Sequence, residues 1–296
     1  MTNELSILRE ACFKRTKKDI KEALALPDRR IAQTISAVDE LEQALCVSTE
    51  RLKEWYSLYY PEATTKIKKQ EAFVRIISTK KLRSEFNDIT QDSIGGEFNG
   101  KDLHIVRSFA KSLSQVYSQK GEMEEYLEKL MKNNFPNLQA IAGSAVGAKL
   151  IAHCGDAARL ANLPSSTIQV LGAEKALFRH MKTGAKPPKY GIILAHNLLQ
   201  NAHKDQRGKV SRALASVISL AVKVDVFSKD DQISFLTNKL EKKLMVMKRR
   251  QERDNKKGPS SGKPSQNDNK PRFRNTPSKF KKKNFQHKSK HGGKNR

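Results

Sequence analysis

Apolar residues recur at alternating steps of three and four in two separate stretches of the chain. The longer stripe, within residues 102–131, comprises Leu103, Val106, Ala110, Leu113, Tyr117, Lys120, Glu124, Leu127 and Met131. The earlier stripe, between Pro27 and Pro61, comprises Ile31, Ile35, Val38, Leu45 and Leu52. This spacing is typical of coiled-coil helices, and proline favours a helix boundary. We therefore predict two long antiparallel helices that lie against each other.

Two polar residues interrupt the longer stripe. Lys120 and Glu124 stand at seam positions, where a polar side chain can select a register or a partner chain. The stripe also exceeds the length that one intramolecular hairpin needs. Two interpretations stay open, an ordinary packing of two helices within one chain and a homodimer formed through the coiled coil.

The chain between and after these helices also has a helical pattern. Residues 63–100 contain a short apolar run followed by Gly95-Gly96 and Asn99-Gly100, which predicts a helical tip with a loop. A buried helical face is indicated by Leu138, Ile141, Val146, Leu150 and Ile151, with Gly143 and Gly147 permitting close packing. The turn at residues 163–167 either caps a following helix or leads into a short extended run over residues 168–171. Ile233, Leu236, Leu240, Leu244 and Met247 predict a further helix over residues 230–250.

The predicted fold is all-α, in three regions. Residues 1–134 form a coiled-coil dimerisation region, residues 135–250 a compact helical module, and residues 251–296 a tail. The tail is rich in Gly, Pro, Ser, Asn and Lys, so it cannot bury a core and is predicted to be disordered. It serves either as a non-specific RNA-holding arm or as a solubilising extension.

Charge rises along the chain. Residues 1–134 contain 23 Lys and Arg against 21 Asp and Glu, residues 135–232 contain 13 against 6, and residues 248–296 contain 18 against 3. A gradient of this kind favours attraction to a polyanion, with an affinity that falls steeply with salt. A basic surface that only contacts solvent is the alternative.

Cationic residues alternate with short apolar runs and turn-forming residues between Leu171 and Phe227. Lys175 and Arg179 are four residues apart, so they share one helix face and together can grip a phosphate. A charged face that only contacts solvent is the alternative. Glu174 precedes them, at a position where an acidic side chain complements a helix N-terminus.

Two more cationic groups follow. Lys182, Lys186 and Lys189 flank Gly184 and Pro187-Pro188, and proline lowers the entropy cost of holding such a loop against phosphates. Tyr190 and His196 either stack on an unpaired base or pack inside the protein. Arg207, Lys209 and Arg212 open a helix whose other face is apolar, with Val210, Leu214, Val217, Leu220, Ala221 and Val224. Cations beside a helix N-terminus favour the binding of an anion such as phosphate. A polar helix face that only contacts solvent is the alternative.

No pattern for catalysis, metal or cofactor binding is found. Residues 143–149 are similar to a phosphate loop, but three residues separate the glycines instead of four and Ala148 precedes Lys149. HExxH, CxxC and paired-carboxylate motifs are absent from the sequence, so we expect no enzyme, no metal and no cofactor. Cys12, Cys46 and Cys154 are far apart, which with the absence of a signal peptide or apolar span predicts a reduced, cytoplasmic setting.

The run from Gly172 to Arg179, continued by Lys182 to Gly191 and by Arg207 to Lys209, resembles the Nop domain of archaeal box C/D ribonucleoprotein scaffolds, relatives of the eukaryotic nucleolar Nop proteins. The resemblance covers roughly residues 20–245. It implies a noncatalytic scaffold that recognises a kink-turn RNA together with a small ribosomal-type protein, with a coiled coil that pairs two copies. It assigns RNA or partner binding to Gly172, Ala173, Glu174, Lys175, Arg179, Lys182, Lys186, Lys189, Arg207, Lys209 and Arg212, and a structural role to Asp225.

One departure from the family pattern concerns fibrillarin, the methyltransferase partner. The archaeal scaffolds begin with an α/β domain that docks fibrillarin, whereas here about twenty residues precede the coiled coil, so we expect that domain to be missing. Two alternatives stay open, a scaffold that recruits fibrillarin through a separately encoded piece and one that has no fibrillarin partner. Guided RNA 2′-O-methylation or rRNA processing is the implied pathway. A kink-turn particle outside methylation, like the spliceosomal relative, and a general basic RNA-binding protein or chaperone are the alternatives.

Overall fold

The computed structural model describes residues 2–79 and 93–256, and in these ranges it contains helices and turns but no β-strand. The α-helices are α1 (Thr2–Ala25), α2 (Pro27–Tyr59), α3 (Pro61–Lys66), α4 (Gln70–Thr79), α5 (Gly100–Asn134), α6 (Pro136–Ala142), α7 (Ser144–Cys154), α8 (Ala157–Asn162), α9 (Ser165–Val170), α10 (Glu174–Thr183), α11 (Asn197–Gln200), α12 (Arg207–Lys223) and α13 (Ile233–Lys256). The predicted all-α class is confirmed. No helix in the described ranges is both long and apolar enough to cross a membrane.

Helices α2 and α5 form the predicted antiparallel pair. The Tyr117 and Thr49 hydroxyl oxygens lie 3.2 Å apart, and Lys120 Nζ lies 3.9 Å from Glu42 Oε1. Residue numbers therefore rise along one helix as they fall along the other. The buried apolar positions of the two predicted stripes are Ile31, Ile35, Val38, Leu45 and Leu52 on α2 and Leu103, Val106, Ala110, Leu113, Leu127 and Met131 on α5.

The polar interruption of the seam is neutralised within the hairpin. Lys120 Nζ lies 3.5 Å from Glu124 Oε1, in addition to its contact with Glu42. Glu124 itself is exposed, and Tyr117 is half-buried. A second chain is therefore not needed to neutralise Lys120, and the homodimer stays a prediction.

The predicted helical tip is present in the described residues as α3 and α4. Phe73, Val74 and Ile77 of α4 are buried in a core that they share with the upper part of the hairpin. Further along, a β-carbon at Gly95 would lie 2.1 Å from the Tyr59 carbonyl oxygen, so only glycine lets this loop run against the end of α2. The part of the predicted loop at residues 80–92 lies outside the described residues.

Helix α12 is the centre of the compact module. Its buried residues are Val210, Ser211, Ala213, Leu214, Ala215, Val217, Ile218, Ser219, Ala221 and Val222. Helices α6, α8 and α9 pack against it. Ile31, Ile35, Leu127 and Met131, at the base of the hairpin, belong to the same core. The hairpin base and the module are thus held together by continuous apolar packing.

The two glycines around the start of α7 have different roles. A β-carbon at Gly147 would lie 2.8 Å from Met131 Cε, which confirms the predicted close packing. Gly143 was also predicted to allow close packing, but no atom lies within 4 Å of a β-carbon built there. Its φ of 78° shows that glycine serves the left-handed turn between α6 and α7 instead.

Asp225 has a structural role at the start of α6. Its Oδ1 accepts hydrogen bonds from the Asn137 backbone N–H at 3.1 Å and side-chain amide at 2.7 Å, and its Oδ2 accepts one from the Leu138 N–H at 2.8 Å. Burial raises the pKa of Asp225, and these hydrogen bonds oppose the shift. The π-helical turn Val224–Ser228, which continues α12, carries this residue. The predicted structural role is confirmed.

The structure distinguishes the two alternatives for one segment and extends the boundary of another. Residues 165–170 form α9, so the turn at Pro164 leads into a helix, with Ile168 buried, and not into an extended run. Helix α13 continues to Lys256, beyond the predicted end at Arg250. The remainder of the predicted tail, residues 257–296, lies outside the described residues.

Candidate nucleic-acid interface

The turn that precedes α10 requires glycine at position 172. Gly172 has a φ of 84°, and a β-carbon there would lie 2.6 Å from Ile192 Cγ1. The adjacent Ala173 is half-buried and donates its N–H to the Val170 carbonyl at 2.9 Å. The backbone thus turns tightly against Ile192 before the helix begins.

Glu174 fastens the first turn of α10 to the rest of the module. Its Oε1 accepts the Gly172 N–H at 2.7 Å and lies 2.8 Å from His153 Nε2 on α7. Burial raises the pKa of Glu174, but the hydrogen bonds from the Gly172 N–H, its own N–H and His153 outweigh this and lower the pKa below its ordinary value. The carboxylate therefore makes hydrogen bonds within the protein at the start of α10. This agrees with the sequence interpretation of Glu174 as an acid that complements a helix N-terminus.

Helix α10 lies on the surface with none of its residues buried. Lys175, Arg179 and Lys182 are exposed along it. Lys182 was predicted to belong to the following loop, but it lies in the last helical turn because α10 continues to Thr183. The helix ends at Gly184, which adopts a φ of 68°.

The loop after α10 is fixed at both of its ends. At the first end, His180 Nδ1 hydrogen-bonds the Ala185 carbonyl. At the second end, the Lys189 carbonyl accepts hydrogen bonds from the Gln169 amide at 2.7 Å and from the Ser211 hydroxyl at 3.2 Å. Lys186 and Lys189 project from this loop as exposed side chains.

The stacking interpretation of His196 is not supported by its contacts. His196 Nε2 hydrogen-bonds the Ile141 carbonyl at 3.1 Å, and Nδ1 accepts the Leu198 N–H at 3.2 Å. Burial lowers the pKa of His196, and its bond to Ile141 opposes the shift. Tyr190 is half-buried against the module core. Both rings thus serve internal packing, the alternative that the sequence left open.

The start of α12 meets the end of the cationic loop. A β-carbon at Gly208 would lie 3.6 Å from Lys189 Cδ, so the Lys189 side chain passes over the first turn of α12. Lys209 and Arg212 are exposed on that helix. The structure thereby joins the second and third cationic groups of the sequence into one surface.

Arg207 differs from its cationic neighbours because its guanidinium is used within the chain. Its Nε donates to the Ala202 carbonyl at 3.0 Å, and its Nη2 donates to the Gln200 carbonyl at 3.2 Å. These carbonyls lie at and just after the end of α11. Arg207 therefore ties α11 to α12, and this contact gives it a structural role that was not predicted from the sequence.

His153 was not predicted from the sequence either. It lies on α7, 21 residues before the carboxylate that it contacts, and no local pattern marks it. No group of three or more His, Cys, Asp or Glu side chains in the part of the chain that the structure describes is arranged to hold a metal ion.

The chain matches a known protein family. A family model described as Nop, snoRNA binding domain, fibrillarin, matches residues 37–246. The chain is 38% identical over 252 residues to a NOP5 family protein of Methanocaldococcus jannaschii, covering 79% of this chain and 61% of that protein. It is 37% identical over 221 residues to Nucleolar protein 58 of Schizosaccharomyces pombe, covering 69% of this chain and 44% of that protein. The chain thus spans less than two thirds of the length of either relative.

Among solved structures, the chain is similar to one described as the crystal structure of a fibrillarin/Nop5p complex. The similarity has a TM-score of 0.48 and 23% sequence identity, and it covers 80% of this chain and 78% of that chain.

Proposed function

The chain belongs to the Nop family, and from this premise we propose that it is a noncatalytic scaffold of a box C/D ribonucleoprotein. It binds a kink-turn RNA together with the small ribosomal-type protein that holds this RNA in its bent form. The assembled particle serves guided RNA 2′-O-methylation or rRNA processing. Methyl transfer itself belongs to a separate enzyme, fibrillarin.

The exposed helix α10 is the observation that carries this proposal. A surface helix normally buries one apolar face, yet no residue of α10 is buried. Phe178 and Met181 are 56% and 63% exposed beside the cations Lys175 and Arg179. Apolar surface favours a protein partner and cations favour phosphate, so α10 fits a target composed of both.

The anchoring of α10 supports rigid recognition. The Gly172 turn, the Glu174–His153 contact and the His180 bond to Ala185 fix both ends of the helix. A binding element that is already ordered loses less conformational entropy when its partner docks. We therefore expect α10 to keep its position when the RNA–protein complex binds.

A titration against the complete RNA–protein target tests the proposal. The probe is a kink-turn RNA bound by its small partner protein, and the reference is the same RNA with the kink-turn sequence mutated. We expect tight binding to the first and weak binding to the second. Equal binding to both would refute the scaffold function and favour a general basic RNA-binding protein.

The substitution Lys175→Ala with Arg179→Ala tests the assigned surface. Removing two charge-assisted hydrogen bonds of about 1.5 kcal/mol each predicts an affinity for the kink-turn complex that is about a hundredfold lower. The matched control is Lys101→Ala with Lys111→Ala, which removes two exposed cations from α5. Gel-shift titration measures the affinity, and an unchanged dissociation constant for the α10 variant would contradict the assignment.

A further inference from the structure

A groove of about 630 Å³ runs between α12 and α13. Lys209 and Arg212 line it from α12, and Lys242 and Lys243 line it from α13. Its apolar lining includes Ala213 and Met247. The two α13 lysines belong to none of the cationic groups that the sequence singled out, because they lie on a helix whose apolar stripe indicates only packing.

The charges that line this groove have no anionic partner within the described part of the chain. Lysine and arginine line the groove without any aspartate or glutamate. None of these cations forms an ion pair in the described residues, and Lys243 Nζ instead hydrogen-bonds the neutral Ser216 hydroxyl. Burial and the nearby Lys239 lower the pKa of Lys243, as expected where positive charges crowd together. Glu241, the one acidic residue of residues 233–247, does not line the groove.

We propose that this groove binds the sugar–phosphate backbone of an RNA strand that leads away from the recognised kink-turn. The inference rests on the proposed function, because Lys209 and Arg212 belong both to the groove and to the candidate interface at the start of α12. Phosphates complement the four cations, and the apolar lining accepts the sugar and base surfaces between them.

The lining of the groove also restricts its occupant. Four cations and no carboxylate line it, so it attracts an anionic strand and repels a cationic one. The Ser216 hydroxyl accepts a hydrogen bond from Lys243, so this hydroxyl is already used within the protein. The four charged side chains are therefore the main polar groups that face the strand. Contacts of this kind position a nucleic acid without reading its bases, so binding in the groove is independent of sequence.

Two RNAs separate this inference from the proposed function. The first is a minimal kink-turn RNA with its small partner protein, and the second carries in addition a single-stranded extension of about ten nucleotides, within the site size of single-strand grooves. We expect wild-type protein to bind the extended RNA about tenfold more tightly. Lys242→Ala with Lys243→Ala should abolish this gain while binding the minimal RNA as the wild type does. The salt slope for the extended RNA should fall by about 0.7 for each phosphate that the variant no longer neutralises.

The outcomes distinguish the two ideas. Lys101→Ala with Lys111→Ala on α5 is the matched control and should retain the gain. Circular dichroism checks folding, and Lys242→Ala alone, at an exposed position, replaces the double variant if that variant unfolds. Retention of the full gain by the groove variant would overturn the groove assignment. An acidic peptide that binds in the groove without lowering the affinity for the extended RNA would overturn it as well. Failure of the wild type to distinguish a mutated kink-turn would refute the proposed function, while the gain from the extension still tests the groove.

Discussion

Gly172 and Gly184 stand on either side of α10, and both have positive φ angles, of 84° and 68°. Their surroundings differ. A β-carbon at Gly172 would lie 2.6 Å from Ile192 Cγ1, whereas no atom lies within 4 Å of one at Gly184. The first glycine is thus required for both conformation and space, and the second for conformation alone.

Alanine at each position should separate these two effects. The left-handed backbone costs a non-glycine residue about 1–2 kcal/mol, and forcing a methyl group into packed surroundings adds about 1–3 kcal/mol. We expect Gly184→Ala to lower the free energy of unfolding by the first amount only, and Gly172→Ala to lower it by the sum. Urea unfolding of both variants measures the difference. Equal destabilisation would show that Ile192 moves aside and that the close approach is unimportant.

The contact between Glu174 and His153 illustrates what the sequence does not reveal about single residues. The position of Glu174 in the first turn of a helix was enough to predict that its carboxylate complements the helix N-terminus. Its second partner lies on another helix, and only the packing of α7 beside the Gly172 turn brings the two side chains to 2.8 Å. Local rules predict which residue caps a helix, but not which distant side chain fixes the cap.

The apolar periodicity of the sequence predicted the helices that bury one face in the core. The stripes of α2 and α5 and the apolar face of α12 were predicted correctly, because each helix buries one face along its length. Helix α1 was not predicted from the sequence. It contains apolar residues such as Leu5, Leu8 and Leu24, yet every side chain from residue 5 to residue 25 is exposed. Burial of one face within the described chain therefore does not account for this helix.

The junction of α11 and α12 shows a second limit. Arg207, Lys209 and Arg212 have the same character in sequence and were assigned the same role. In the structure, the Arg207 guanidinium donates to two backbone carbonyls, while Lys209 and Arg212 are exposed. An arginine that supports a helix end cannot be told from one that faces a ligand until the backbone around it is known.

Substitution of Arg207 and of Lys209 should therefore have opposite consequences. Arg207→Ala removes two hydrogen bonds from a half-buried cation, and we expect the free energy of unfolding to fall by about 1–2 kcal/mol. Lys209→Ala should change stability by less than about 0.5 kcal/mol, as is usual at an exposed site, while weakening RNA binding. Chemical unfolding and RNA titration of both variants measure the two effects. Wild-type stability in Arg207→Ala would contradict its structural role.

In the molecule as a whole, charge is divided between the hairpin region and the module. Residues 1–134 are almost neutral, with 23 Lys and Arg against 21 Asp and Glu, whereas residues 135–232 carry 13 against 6. Two copies can therefore approach through their hairpins with little electrostatic cost, while their modules repel each other unless an RNA neutralises them. This division agrees with the prediction that the hairpin is the self-association region and with the proposal that the module binds RNA.

Exposed apolar residues on the hairpin provide the test of self-association. Leu58 on α2 and Ile105 on α5 are 63% and 55% exposed, and the antiparallel pairing brings both to the same end of the hairpin. Burial of such a side chain contributes about 1.5–3 kcal/mol, so Leu58→Glu with Ile105→Glu should weaken a dimer by about a hundredfold or more. Light scattering coupled to size-exclusion chromatography measures the mass, with Phe178→Glu on α10 as the control that stays dimeric. Because this contact is apolar, the dimer should persist at a salt concentration that releases RNA, and a wild-type monomer, or a dimer unaffected by both hairpin substitutions, would exclude this surface.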